Sequence, residues 1–283
     1  HRLTAVLGTA GATQVRFLYG LPFALLFLAA VAVADGPPPA PGGAFLGFVL
    51  GGAVAQILAT ALMLAAMRTR AFALAVAYTK TEPLQVAVFG LLVLGDAVTP
   101  WAAAAIGLAT AGIFAMSWKP APAAPAPASG SGAAPPGRYG AALLGVASGA
   151  FFALAAVGLR GAILALPDGS FLVRATTTLA WTLATQTALL LAWLALFDRP
   201  ALLGSLRIWR DSLAAGFLGA LASQCWFLGF ALTSAANVRT LGLVEVLFAA
   251  VLSRRLFAQA IAPREAAGMA LLVAGVALLL AGG

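Results

Sequence analysis

Lys80 and Glu82 stand inside an apolar run from about Phe72 to Leu94, in the stretch Tyr78-Thr79-Lys80-Thr81-Glu82-Pro83-Leu84. A charge at the centre of a bilayer-length helix costs on the order of 2.5–3.5 kcal/mol on insertion scales, so such residues face protein or a water-filled cavity and mark ion, proton or substrate paths. Residues two apart on a helix point to different faces, so these two cannot neutralise one another along it. At least one needs a partner elsewhere, and Glu245, in a later apolar run, is the candidate. Should Glu82 and Glu245 approach one another, two neighbouring carboxylates disfavour joint ionisation, and one can hold a proton near neutral pH beside Lys80. The competing reading is a structural ion pair that fixes helix register.

Further polar groups fall in apolar segments. Gln56, Thr185, Gln186, Ser223, Gln224 and Trp226, with Tyr78, form a polar and aromatic band able to orient a small ligand by hydrogen bonds and stacking. The same side chains also make interhelical hydrogen bonds, worth about 0.6 kcal/mol each in membrane bundles, which is the reading preferred for Thr185. Arg239 lies one turn inside its helix: it is an interface anchor or, where a cavity opens beside it, the site of an anionic group. Arg16 and Arg174 each start a helix and read as interface anchors, and Trp118 and Trp209 as belt residues. Pro83 is expected to kink its helix and free a carbonyl toward a cavity.

These residues need spanning helices to hold them, and the composition supplies them. Of 283 residues, 63% are hydrophobic and 8% charged, with a mean hydropathy of +1.03, which describes an all-α integral membrane protein. The alternation of barrel strands is absent. The net charge of +8 is spread singly or in pairs between the apolar runs, so it reads as topology signal and excludes a nucleic-acid surface. The single cysteine, Cys225, and single histidine, His1, leave no disulfide framework, metal centre or cofactor ligand set to build.

Apolar segments run from Val15 to Ala34, Ala44 to Met67, Phe72 to Leu94, Pro100 to Trp118, Tyr139 to Leu159, Phe171 to Phe197, Leu213 to Leu232, Val238 to Phe257 and Ala266 to Ala281, predicting nine helices. Lys119 to Gly137 is almost wholly Pro, Ala, Ser and Gly and reads as an extended linker. It should tolerate shortening by several residues without loss of membrane insertion. It divides the chain into residues 1–118, the linker 119–138 and residues 139–283.

The two parts repeat. An offset of 163 residues places Glu82 on Glu245, Leu84 on Leu247, Pro100 on Pro263 and Gly112 on Gly275; an offset of 158 places Arg2 on Arg160 and Val15-Arg16 on Val173-Arg174. Arg160 follows a helix, so Arg2 is expected to follow an equivalent one: a parent of two five-helix sets, its first helix missing here. Leu3 to Gln14 is too short and too rich in Gly and Thr to be that helix. Five helices per set would invert the second set in the membrane. Arg2, Arg68, Arg70, Lys119, Arg138, Arg199, Arg207, Arg210, Arg254, Arg255 and Arg264 then share one side, assigned to the cytoplasm, and Arg160 and Arg174 the other. Gly47-x-x-x-Gly51 and Gly145-x-x-x-Gly149 read as close helix packing.

Val15-Arg16-Phe17-Leu18 opening a helix, Glu82-Pro83-Leu84, and Leu94-Gly95-Asp96-Ala97-Val98-Thr99-Pro100-Trp101 resemble the EamA-type members of the drug/metabolite transporter superfamily. Ala262-Pro263-Arg264-Glu265 and Gly268 to Gly275 repeat the closing pattern, with Gln259 where the family commonly has an acidic residue. The resemblance implies two inverted five-helix repeats and a secondary transporter and leaves the substrate open; the expectation adopted is export of an amino acid or related compound across a bacterial inner membrane. It also implies that the segments starting at Ala44, Phe72, Leu213 and Val238 line a central cavity. Partners would be a small-molecule substrate, a proton as coupling ion, and the bilayer, with no cofactor. A receptor or scaffold is the alternative. An intramembrane enzyme is disfavoured by the lack of an internal histidine and by Asp35, Asp96, Asp168, Asp198 and Asp211 all falling at loops or helix ends.

Overall fold

The computed structural model describes residues 2–67, 78–117, 138–248 and 263–282. Their regular structure is all helical, with no strand among the described residues: α1 (Arg2–Asp35), α2 (Gly43–Met67), α3 (Glu82–Leu94), α4 (Pro100–Ser117), α5 (Arg138–Ala165), α6 (Phe171–Phe197), α7 (Arg199–Arg207), α8 (Trp209–Leu232), α9 (Ala235–Gly242) and α10 (Pro263–Ala281). Six of them are long and apolar enough to cross a bilayer, and α3 and α4 are shorter apolar helices. The protein is an all-α, multi-pass membrane protein. The linker and the basic residues Arg68, Arg70, Arg254 and Arg255 lie outside the described residues, as do Gln259 and Trp118.

Several segments differ from expectation. Helix α1 begins at Arg2, thirteen residues before Val15, so Leu3 to Gln14 form its first turns; extending an existing helix is far cheaper than nucleating a separate short one. The chain between Phe197 and Leu213, expected as loop, forms α7. Asp198 accepts a hydrogen bond from the Ala201 backbone at 3.1 Å, and Pro200 sits in the first turn, where its missing N–H costs nothing. Gly47 and Gly51 face open space; the close approach of α2 and α5 is made next door, where a Cβ on Gly158 would lie 3.2 Å from the Gly52 backbone.

Direction follows from contacts. Ser170 bonds to Asp35, and Arg160 to both Asp96 and the Thr233 carbonyl, so one end of the bundle gathers the C-terminal ends of α1, α3, α5 and α8. The ends carrying Arg2, Arg138, Arg199, Arg207, Arg210 and Arg264 lie at the opposite face, and the asymmetry of basic residues is kept among the described residues. Helices α4 and α10 run antiparallel, with Trp101 beside Gly282 and Met116 beside Gly268. Gly112 lies against Gly268, and Gly275 against Ala105 and Ala109. Under the offset of 163 residues Ala105 corresponds to Gly268 and Gly112 to Gly275, so these contacts are reciprocal, as across a two-fold axis. The main core joins α1, α3, α5, α6 and α8 through Phe17, Val86, Val157, Leu179, Phe227 and Phe230.

Candidate functional site

Neither charged segment is a continuous helix. Tyr78 and Thr79 are helical, Lys80 and Thr81 form a turn, and α3 starts at Glu82; likewise α9 ends at Gly242, Leu243 and Val244 form a turn, and helix resumes at Glu245. Thr81 N bonds to Tyr78 O and Leu84 N to Thr81 O, both at 3.1 Å. Val244 N bonds to Leu241 O at 3.1 Å and Leu247 N to Val244 O at 2.9 Å. These three-residue steps replace the usual four-residue ladder, and every one falls on its counterpart under the offset of 163 residues. Pro83 therefore does not kink the interior of a helix; it stands in the first turn of α3, where it has no N–H to offer the Thr79 carbonyl. In the same way the expected single helix from Val238 to Phe257 is interrupted before Glu245.

The breaks bring the charges together. Lys80 pairs with Glu245, and Arg239 Nε lies 2.9 Å from Glu82 Oε1. The expected approach of the two carboxylates thus takes another form: each holds a cation from the other part of the chain, within electrostatic reach of all four charges. Two opposite pairs relieve the like-charge repulsion that bare carboxylates would suffer. Burial is unequal, since Glu245 is 60% exposed and Glu82 13%. Glu82 Oε1 and Arg239 Nε, although in ionic contact, form no hydrogen bond, so both keep unused capacity toward a further group. Arg239 is no interface anchor: its guanidinium lies 4.6 Å from the Trp226 ring centre and 5.8 Å from that of Phe230, cation–π contacts that strengthen when desolvated.

Around this set the band residues separate. Gln186 donates to Gln56 at 2.8 Å across α6 and α2, making the interhelical bond expected of its neighbour Thr185. Gln224 donates to Thr176 Oγ1 at 2.8 Å across α8 and α6. Tyr78 packs edge-on against Phe114 of α4 at 6.0 Å, and its carbonyl accepts from the Thr81 hydroxyl at 2.7 Å. Trp226 also lines an open depression of about 490 Å³ with Gly229, Asn237, Val238 and Leu279, bordered by the exposed Leu232, Leu241 and Leu280. Trp209 is exposed at the start of α8, as a belt residue is.

Two features escaped the sequence. Arg160, read as a topology signal, clamps Asp96 through Nε–Oδ2 at 2.9 Å and Nη2–Oδ1 at 3.2 Å, and donates to the Phe230 and Thr233 carbonyls at 2.7 and 2.5 Å. It joins the ends of α3, α5 and α8. A double-mutant cycle of Arg160→Met with Asp96→Asn, read by thermal unfolding, is expected to give a coupling of about 1 kcal/mol or more; a value near zero would mean the pair is screened by solvent. Arg16 is the other feature. It is exposed and borders a narrow recess lined also by Gln56, Gln186 and Ser223. No local signal marked either residue, because both partners are distant in the chain.

Residues 140–281 match the model of the EamA-like transporter family. No curated protein matches the chain in sequence. One solved structure, described only as the crystal structure of a protein, is similar over 99% of this chain and 91% of its own, with a TM-score of 0.71 and 18% identity. At that identity the likeness carries the fold alone.

Proposed function

Because the chain belongs to the EamA-like transporter family, a family of membrane transporters of small molecules, we propose that it is a secondary transporter exporting an amino acid or related metabolite. In this reading it sits in the cytoplasmic membrane of a bacterium, its arginine-rich face inward, and works by alternating access between two inverted repeats, residues 1–118 and 139–283. The observation that carries it is the pairing of Lys80 with Glu245 and Arg239 with Glu82 at matched breaks in two helical segments. Broken helices at a repeat interface expose backbone polar groups to a substrate, and ion pairs across that interface can be remade as the repeats rock. The reciprocal glycine contacts of α4 and α10 support the two-fold relation.

The chemistry suits a zwitterion. A substrate carboxylate would compete with Glu82 for Arg239 or with Glu245 for Lys80, while its ammonium would take the freed carboxylate, with Trp226 covering the apolar part. A proton as coupling ion fits the same exchange, since a carboxylate that loses its cation in a dry site is costly unless protonated. Gln56 and Gln224 tie α2, α6 and α8 together around this site through their hydrogen bonds to Gln186 and Thr176, and Tyr78 packs against Phe114 of α4.

Flux of labelled amino acids and organic cations into proteoliposomes tests this. Lys80→Ala is expected to weaken zwitterionic and anionic substrates by about tenfold and cations little, as removal of one charge-assisted contact does. Equal losses for all would make the Lys80 pair structural. Stabilisation by solutes without any saturable flux would favour a receptor or scaffold.

A further inference from the structure

The Arg160–Asp96 pair has one property in common with the two ion pairs at the helix breaks: it joins residues 1–118 to residues 139–283. Its place is different. Asp96 follows Gly95, which ends α3 at φ +70°, the left-handed region that suits glycine, and the Asp96 N–H turns back to the Gly90 carbonyl at 3.1 Å. The carboxylate is thereby fixed over the end of α3. Arg160 reaches it from α5 through two bonds while donating to the carbonyls of Phe230 and Thr233. Those carbonyls stand at the end of α8, where no further helical N–H meets them and the helix dipole is negative. One guanidinium thus fastens three helix ends. It does so largely out of water, since the side chains of Arg160 and Asp96 are only 13% and 17% exposed.

Behind the pair lies a cavity of about 240 Å³, whose lining includes Val86, Gly90, Asp96, Thr99, Ser234 and Asn237. Glu82, Val86 and Gly90 follow one another at a spacing of four, so they share one face of α3. The cavity therefore starts one turn beyond the Glu82–Arg239 pair and follows that face outward; Glu82 to Gly90 is about 12 Å at 1.5 Å per residue. At its far end a Cβ on Gly90 would lie 3.6 Å from Asp96 Oδ2. Asn237, two residues before Arg239, lines the opposite wall from α9. Thr99 and Ser234 stand at the same end as Asp96, in the connections from α3 to α4 and from α8 to α9.

We propose that Arg160 holds the outer mouth of the transport path shut: the cavity is the passage from the Glu82–Arg239 site to the outer face, and the bond to Asp96 breaks before a solute leaves. This rests on the transporter reading and adds to it the contact that opens. When the two parts of the chain separate at this end, Arg160 keeps the α8 carbonyls, which belong to its own part, and releases Asp96. Arg160 is a positioning residue. It sets how often the mouth is open and does so through Asp96.

Thiol accessibility tests it. Cys225→Ser removes the one cysteine of the chain, and Ala236→Cys then places a thiol in the cavity wall. Its rate of reaction with a water-soluble methanethiosulfonate reagent is read in proteoliposomes carrying the full chain. Arg160→Met and Asp96→Asn are each expected to raise that rate about tenfold, the gain in open fraction that follows from losing a charge-assisted contact. Combined, they should give no more than either alone. Arg160→Lys, which keeps the charge and loses the fork, should fall between. Unchanged rates with a lower unfolding temperature in both variants would make the pair a structural brace and overturn the proposal, as would gains that multiply in the combined variant. Counterflow measured alongside separates this from the transporter reading. Saturable counterflow with unchanged thiol rates would end the latch and leave the transporter, whereas the tenfold rise with no wild-type counterflow would end the transporter and leave a latched cavity.

Discussion

Glu82→Gln is expected to cut transport by about tenfold to a hundredfold, the loss that follows from removing a charged partner in a dry site. Glu82 is the buried member of the two carboxylates, 13% exposed, and holds Arg239 at 2.9 Å. The substitution keeps the shape and one acceptor oxygen and deletes the charge. Arg239 then loses its counter-charge while remaining stacked on Trp226, which destabilises the fold by up to about 3 kcal/mol, the lower end for a broken buried pair. The control is Glu82→Gln combined with Arg239→Met. This neutral pair should recover most of the unfolding temperature and none of the flux. Recovery of both would show that Glu82 serves only to balance Arg239, and normal flux in the single variant would remove Glu82 from the transport path altogether.

The second large effect lies in the α4–α10 seam. A Cβ on Gly112 would stand 2.6 Å from the Gly268 carbonyl oxygen, and one on Gly275 2.6 Å from the Ala109 nitrogen. Both neighbours are backbone and cannot swing aside, so the helices must separate. Gly112→Ala and Gly275→Ala are each expected to lower stability by about 2–3 kcal/mol, the upper range for overpacking. If the two contacts are equivalent by two-fold symmetry, the two variants should lose similar amounts. Gly107→Ala, on the same helix but facing open space, should be near neutral. A Gly112→Ala protein as stable as Gly107→Ala would mean that the seam is loosely packed.

How much of this was legible in the sequence divides along physical lines. Membrane class, most helix positions and the asymmetry of basic residues follow from the apolar runs and the arginines between them, which are local signals. The family match over residues 140–281 bears out the resemblance and covers the Pro263 helix among the motifs that carry it. That Lys80 and Glu82 needed partners off their own helix was also readable, because intramembrane charge cannot be left bare. Which partners was not: Arg239 and Arg160 sat near helix ends, where an arginine ordinarily reaches water, and only the packing of distant helices turns them inward. The breaks before Glu82 and Glu245 were hidden for another reason. Apolar composition continues through Lys80-Thr81 and Leu243-Val244, and the shift to three-residue hydrogen bonds leaves no trace in composition. The same continuity places Pro83 inside a helix, where the fold has it in the first turn of α3. Helix α7 was missed because its capping residue, Asp198, and Pro200 together look like a turn until the following residues are seen to wind.

The central claim is that two ion pairs between the parts of the chain form a substrate site that opens in turn to each side of the membrane. Its most direct test is counterflow of labelled amino acids in proteoliposomes containing the full chain, wild type beside Glu82→Gln and Lys80→Ala. The account predicts saturable counterflow of at least one amino acid in the wild type, a loss of about tenfold to a hundredfold in Glu82→Gln and a weaker apparent affinity in Lys80→Ala. Wild-type vesicles no better than protein-free ones, or variants indistinguishable from wild type, would contradict it.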